Sequence, residues 1–221
     1  MLVGMRSISP KRLSHGRRDK WDTTGVLLDE SVARGPVDFP EIFGNRRPVE
    51  VEVGTGKGTF LLGRAAARPE VNFLGVDCAR AFCCYAADRI RRAGLTNARM
   101  LAADAAHFFE ICVPDRSLLR VHVYFPDPWP KRKHHRRRLI QPRFVSQVRR
   151  ALTIGGQLLI MTDHLDYFRQ IQRVLTGARG LAAVRIPRPA DPGGESVGTN
   201  FERKYIPLGR SFYSAACLRY A

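Results

Sequence analysis

Acid is what this chain has too little of. Its 20 Asp and Glu stand against 37 Lys and Arg, leaving a net charge of +17 over 221 residues. That excess is far beyond what solubility needs and points to a polyanionic partner. Nucleic acid fits better than acidic lipid, because the basic residues do not gather on one amphipathic helix and no lipidation signal is present. Cysteine is sparse as well. The five, Cys78, Cys83, Cys84, Cys112 and Cys217, form neither an even framework nor a CxxC pair, which argues against disulfides and a structural zinc. His134 and His135 are neighbours, an arrangement that suits a basic surface better than shared ligation of one metal. No apolar run approaches the length of a membrane span. Arg6, Lys11 and Arg12 follow only a few apolar residues, the wrong order for a signal peptide. Together these absences predict a cytoplasmic protein with no membrane partner and no bound metal.

A hydrophobic content of 44% against 26% charged residues suits one globular domain with an arm better than two domains. Residues 1–47 read as a basic N-terminal arm, with Arg6, Lys11, Arg12, Arg17, Arg18 and Lys20 ahead of Trp21. From residue 48 to 221 the pattern is regular. Strands are predicted at Val49–Val53, Asn72–Asp77, Arg99–Ala103, Leu118–Phe125, Gln157–Thr162, Leu181–Ile186 and Arg210–Tyr220. Helices are predicted at Thr59–Ala67, Arg80–Ala93, Ala105–Ile111, Arg143–Leu152 and Leu165–Leu175, with Gly155-Gly156 as a helix stop. This alternation implies an α/β fold: a mostly parallel sheet with right-handed crossovers and a terminal hairpin.

The most informative segment is Phe125-Pro126-Asp127-Pro128-Trp129-Pro130, followed directly by Lys131, Arg132, Lys133, His134, His135, Arg136, Arg137 and Arg138. Three prolines keep the turn stiff and non-helical, and the preceding apolar strand sets Asp127 at the carboxyl end of the sheet, where open α/β folds bind ligands. Trp129 offers a stacking face or packs the turn, and the cationic run can neutralise phosphates.

Upstream, Glu52-Val53-Gly54-Thr55-Gly56-Lys57-Gly58 joins a strand to a helix through glycines that let a nucleoside approach the backbone. It is not a dinucleotide fingerprint, which needs glycine at Thr59, nor a phosphate-binding P-loop, which needs Ser or Thr at Gly58. Glu52 would repel a pyrophosphate but suits the cationic amino-acid part of S-adenosylmethionine. Asp77 is placed to grip a ribose diol and Asp104 to accept from an adenine amino group, although either also reads as a helix cap. Glu52, Asp77, Asp104 and Asp127 terminate four successive strands and so share one sheet edge. Thr162-Asp163 and Thr199-Asn200-Phe201-Glu202 are polar sets able to read a base edge.

These motifs, in this order, resemble the bacterial tRNA (guanine-N7)-methyltransferases, over roughly residues 45–220. The resemblance implies a Rossmann-like class I methyltransferase fold with seven strands and a C-terminal antiparallel strand. It also implies S-adenosylmethionine held by the positions of Glu52, Gly54, Gly56, Asp77, Asp104 and Asp127. The implied reaction transfers a methyl group to N7 of a variable-loop guanosine in tRNA. Asp127 would be the catalytic residue, and Lys131, Asp163, Thr199, Asn200, Phe201 and Glu202 would face the guanosine. The chain departs from the family at Asp77, where Glu is commoner, and at Thr55, where a bulkier residue is. A monomer without an obligate partner subunit is expected. The alternatives are a methyltransferase for exocyclic amines, whose acid-Pro-Pro-aromatic turn Trp129 interrupts, and a non-catalytic RNA-binding protein.

Overall fold

The computed structural model describes residues 21–185 and 212–221. β1 (Val49–Val53), β2 (Asn72–Asp77), β3 (Ala98–Ala102), β4 (Leu118–Tyr124) and β5 (Leu152–Thr162) run parallel, and β7 (Tyr213–Arg219) runs antiparallel to both β5 and β6 (Leu181–Val184). Their spatial order is β3-β2-β1-β4-β5-β7-β6. This is the expected mostly parallel seven-stranded architecture. The chain builds outward from β1 to β3, then returns to the other side of β1 as β4. The carboxyl ends of β1 and β4 therefore flank the topological switch point, the crevice where such sheets bind ligands.

Helices cover both faces. α2 (Thr59–Ala67) and α3 (Arg80–Arg92) pack Leu61, Cys83, Ala86, Ala87 and Ile90 against Phe73 and Met100. α5 (Pro142–Ala151) and α6 (Leu165–Thr176) cover the other face, burying Phe144, Val148, Tyr167 and Ile171 on Val51, Val123 and Ile160. Each starts where its sequence signals: α5 has proline in its first turn, and His164 caps α6 by accepting from Tyr167 N–H at 3.3 Å.

Three segments depart from the sequence reading. Residues 21–47 are not arm. Val26, Val37, Phe39 and Phe43 are buried in the domain core, Leu27 bridges Met100 of β3, and α1 (Phe39–Phe43) closes with left-handed Gly44. The packing domain thus begins well before residue 48, and of the expected arm residues 1–20 lie outside the described part. The helix expected at Ala105–Ile111 is one turn, α4 (Ala105–His107), followed by a π-helical turn from Phe108 to Cys112. Its wider bond, Val113 N–H to Phe108 O at 3.2 Å, brings adjacent Phe108 and Phe109 into the core together with Cys112. Gly155-Gly156 is no helix stop. β5 begins directly after α5, and the two glycines sit in a bulge where Leu118 pairs with Leu152 but Arg120 pairs with Gln157. Gly155 has φ +80°, and a Cβ on Gly156 would lie 2.9 Å from Thr153 O.

Candidate functional site

Gly54, Gly56 and Gly58 all have positive φ, so the chain leaves β1 through a turn that other residues would strain. They serve different ends. A Cβ on Gly58 would stand 2.8 Å from Cβ of Ala86, so this glycine permits α2 and α3 to touch. A Cβ on Gly54 or Gly56 would meet nothing within 4 Å, so those two face open space at the switch point. Gly58 caps α2 with no side chain, and Glu52 supplies the missing acceptor by taking the backbone N–H of Leu61.

Glu52 is buried, and burial, reinforced by the negative charge of Asp77, raises its carboxyl well above the usual range. Its Oε2 and Oγ1 of buried Thr55 have no hydrogen-bond partner among the described residues. They lie at the end of β1 and in the turn that follows, where an unsatisfied acceptor suits a ligand's donor. Asp77 shapes the turn from β2: Oδ2 accepts from Gly56 N–H at 2.9 Å and Oδ1 from Ala79 N–H at 2.8 Å. Asp104 caps α4 through Oδ1, which accepts from His107 N–H at 2.8 Å. The helix-cap reading thus fits Asp104 but not Asp77, whose two oxygens hold the backbone of the turns while α3, with Ala79 at its N-cap, starts without a side-chain cap. The thiol of exposed Cys78 is raised by burial and then by the charges of Asp77, Asp127 and Asp104.

Asp127 is exposed at that edge. Phe125 N–H donates to Met161 O at 2.8 Å, continuing the β4–β5 ladder past the strand end and setting the turn next to Thr162-Asp163. Phe125 and Trp129 then adopt φ of +53° and +41°, strained values at each end of the Pro-Asp-Pro segment. Trp129 is half-buried, with the Arg137 guanidinium 5.0 Å over its ring and His134 5.9 Å away. It packs the loop. Lys131 is exposed and opens a 3₁₀ helix (Arg132–Arg137), and Asp163 is half-buried at the end of β5. Thr199, Asn200, Phe201 and Glu202 lie outside the described residues.

The cationic run divides in two. Arg138 is no phosphate contact: it is buried, and five groups hold it, His135 Nε2 at 2.9 Å among them. Its Nε donates to Pro128 O at 2.8 Å, Nη1 to Gln170 Oε1 at 2.8 Å and Nη2 to Asp166 Oδ2 at 2.6 Å, while the guanidinium lies 4.9 Å over Tyr167. It ties the Asp127 turn to α6. The hydrogen bond from Arg138 holds the Asp166 carboxyl below its usual range.

A second group of residues escaped the sequence reading. Glu50, one pleat before Glu52 on the same face of β1, is fully buried and accepts from His122 Nε2 of β4 at 2.9 Å and from Arg68 Nη1 at 2.7 Å. Burial opposes its charge, but the His122 hydrogen bond and the charges of Arg120 and Arg68 outweigh that and lower its pKa. His122 Nδ1 lies 2.9 Å from the Tyr124 hydroxyl, and Phe60 of α2 packs on both rings. The network braces β1 against β4 directly beneath the switch point. Its signal was the alternation Val-Glu-Val-Glu-Val opposite Val-His-Val-Tyr, which turns every polar side chain toward α2.

A sheet of this order, with a glycine turn at its switch point and acids along its carboxyl edge, defines a class I methyltransferase fold. The solved 16S rRNA methyltransferase KamB is similar at a TM-score of 0.59 and 15% identity, covering 83% of this chain and 93% of that one. A family model described as "Putative methyltransferase" matches residues 46–215. The tRNA (guanine-N(7)-)-methyltransferase of Pseudomonas entomophila is 36% identical over 207 residues, 91% of this chain and 85% of its own. That of Alcanivorax borkumensis is 36% identical over 203 residues, again 91% and 85%. The chain belongs to the tRNA (guanine-N7)-methyltransferase family.

Proposed function

We propose that this enzyme methylates N7 of a variable-loop guanosine in tRNA, with S-adenosylmethionine as donor. The observation that carries the cofactor assignment is the pairing of open space over Gly54 and Gly56 with the unpartnered Glu52 Oε2. Glu52 would take the cofactor's amino group, Asp77 the ribose and Asp104 the adenine, with Asp127 closing the far side. When bound, the cofactor supplies an electrophilic sulfonium methyl.

Guanine N7 offers a lone pair and carries no proton, so the reaction needs no general base. The protein's task is alignment. Asp127 orients the guanine and stabilises the positive charge that grows on the purine during attack. Lys131, Asp163 and the set Thr199, Asn200, Phe201 and Glu202 would hold the base, and the exposed cations Lys131 to Arg137 would hold phosphates. Residues 1–20 would act as a basic arm on the RNA, ahead of a methyltransferase domain reaching residue 221. No helix among the described residues is long and apolar enough to cross a membrane. A cytoplasmic monomer is the working arrangement.

The test is incubation with labelled S-adenosylmethionine and an unmodified tRNA transcript, followed by digestion to nucleosides. Label in 7-methylguanosine supports the proposal; label in an N2- or N6-methylated base, or tRNA binding without transfer, overturns it.

A further inference from the structure

Between α5 and α6 lies a cleft of about 920 Å³. Gln141 lines it from just ahead of α5, Arg149 from α5, Gln170 and Arg173 from α6, Arg136 from the 3₁₀ loop and Arg179 from the turn before β6. Neighbouring arginines are neutralised. On α5, Arg143 pairs with Glu110 and Arg150 with Asp115, and on the loop Arg138 pairs with Asp166. None of the four cleft arginines forms an ion pair with Asp or Glu among the described residues. The helix therefore has a paired cationic face toward the π-helical turn and an unpaired one toward the cleft.

The cleft reaches the loop that leads away from the catalytic edge. His135 and Arg136, at its mouth, belong to the loop that leaves the Asp127 turn, and the same Gln170 that lines the cleft holds Arg138. From Pro142 to Arg149 its α5 wall extends about 10 Å at the helical rise per residue, longer than a single bound ion needs. Arg149 on this wall, Arg173 on α6, Arg136 on the loop and Arg179 in the turn line one cleft without acidic partners among the described residues, a setting that suits a phosphate backbone.

We propose that the α5/α6 cleft is a second tRNA-binding track, which grips the backbone beyond the nucleotide presented to Asp127. This rests on the reading of tRNA as substrate. The cleft adds affinity and salt dependence and takes no part in the methyl transfer.

The test uses the full chain and its Arg149→Gln/Arg173→Gln/Arg179→Gln variant. Binding of a labelled, unmodified tRNA transcript is followed by fluorescence anisotropy across a salt series. The variant should bind roughly tenfold more weakly near physiological salt, and the slope of log affinity against log salt should fall by about two to three, as expected for three lost phosphate contacts. KM for tRNA should rise, with kcat and S-adenosylmethionine affinity retained. Arg179→Gln alone, in an exposed turn, should show a slope loss of about one and serves if the triple variant does not fold. Unchanged affinity and slope would overturn the proposal. So would a change of sedimenting mass with unchanged RNA binding, which would make the cleft a protein interface. If wild type bound tRNA but methylated nothing, the enzymatic reading would fail while the difference in slope would still report the track.

Discussion

Glu52 carries two duties that oppose each other. Its carboxyl caps α2 from inside the protein, yet its second oxygen has no partner and its ionised form is costly. In the unfolded chain it titrates near 4.5, and in the folded chain it titrates higher. As pH rises above 4.5, the unfolded state releases a proton that the folded state retains, so folding stability falls until the folded pKa is passed. Glu52→Gln removes that slope. Melting curves should show the free variant gaining on wild type as pH increases above 4.5, while calorimetry should show S-adenosylmethionine binding weakened by about tenfold or more, the loss of one charge-assisted contact. Asp127 behaves differently, being exposed. Asp127→Asn should leave melting temperature and both affinities in place and lower kcat by about 10²-fold; full turnover would rule out a need for its charge. At this scale the sequence disclosed the acids at strand ends because position alone locates them. It hid Arg138 and the Glu50–His122 pair, whose partners lie 10 to 32 and 72 residues away and meet only through tertiary packing.

Among the elements, β1, α2 and β2 were legible because hydrophobic alternation, glycine punctuation and helical periodicity agree there. The π-helical turn was not legible, since nothing local tells an α from a π turn when two phenylalanines compete for one core. The β5 bulge failed for a related reason: a glycine pair reads as a terminator unless the neighbouring strand is known. The glycine turn makes a sharper prediction. Gly58→Ala places a methyl against Ala86 in a left-handed backbone and should lower stability by about 2–4 kcal/mol. Gly56→Ala meets no protein atom and should cost only about 1 kcal/mol while obstructing the cofactor. Chemical denaturation with S-adenosylmethionine titration separates the two. The loop after Asp127 is held by Arg138, so Arg138→Met should cost about 2–3 kcal/mol from the lost and orphaned hydrogen bonds. It should reduce kcat while leaving the salt slope of tRNA binding unchanged, which no phosphate-binding arginine would do.

For the molecule as a whole, the charge of +17 gains meaning from its distribution. Arginines facing the π-helical turn and the buried end of the loop are paired, and those along the exposed loop and the α5/α6 cleft have no acidic partner among the described residues. Composition announced a polyanion, but only the fold separates structural cations from available ones. Four acids, Glu52, Asp77, Asp104 and Asp127, stand at or near the carboxyl ends of β1 to β4, where a cationic donor and a nascent purinium would both need them. Mapping the methyl group by borohydride reduction and aniline cleavage of a tRNA transcript treated with S-adenosylmethionine and enzyme tests this arrangement most directly. The account predicts scission at one guanosine of the variable loop; methyl incorporation without scission would place the group on another atom and contradict it.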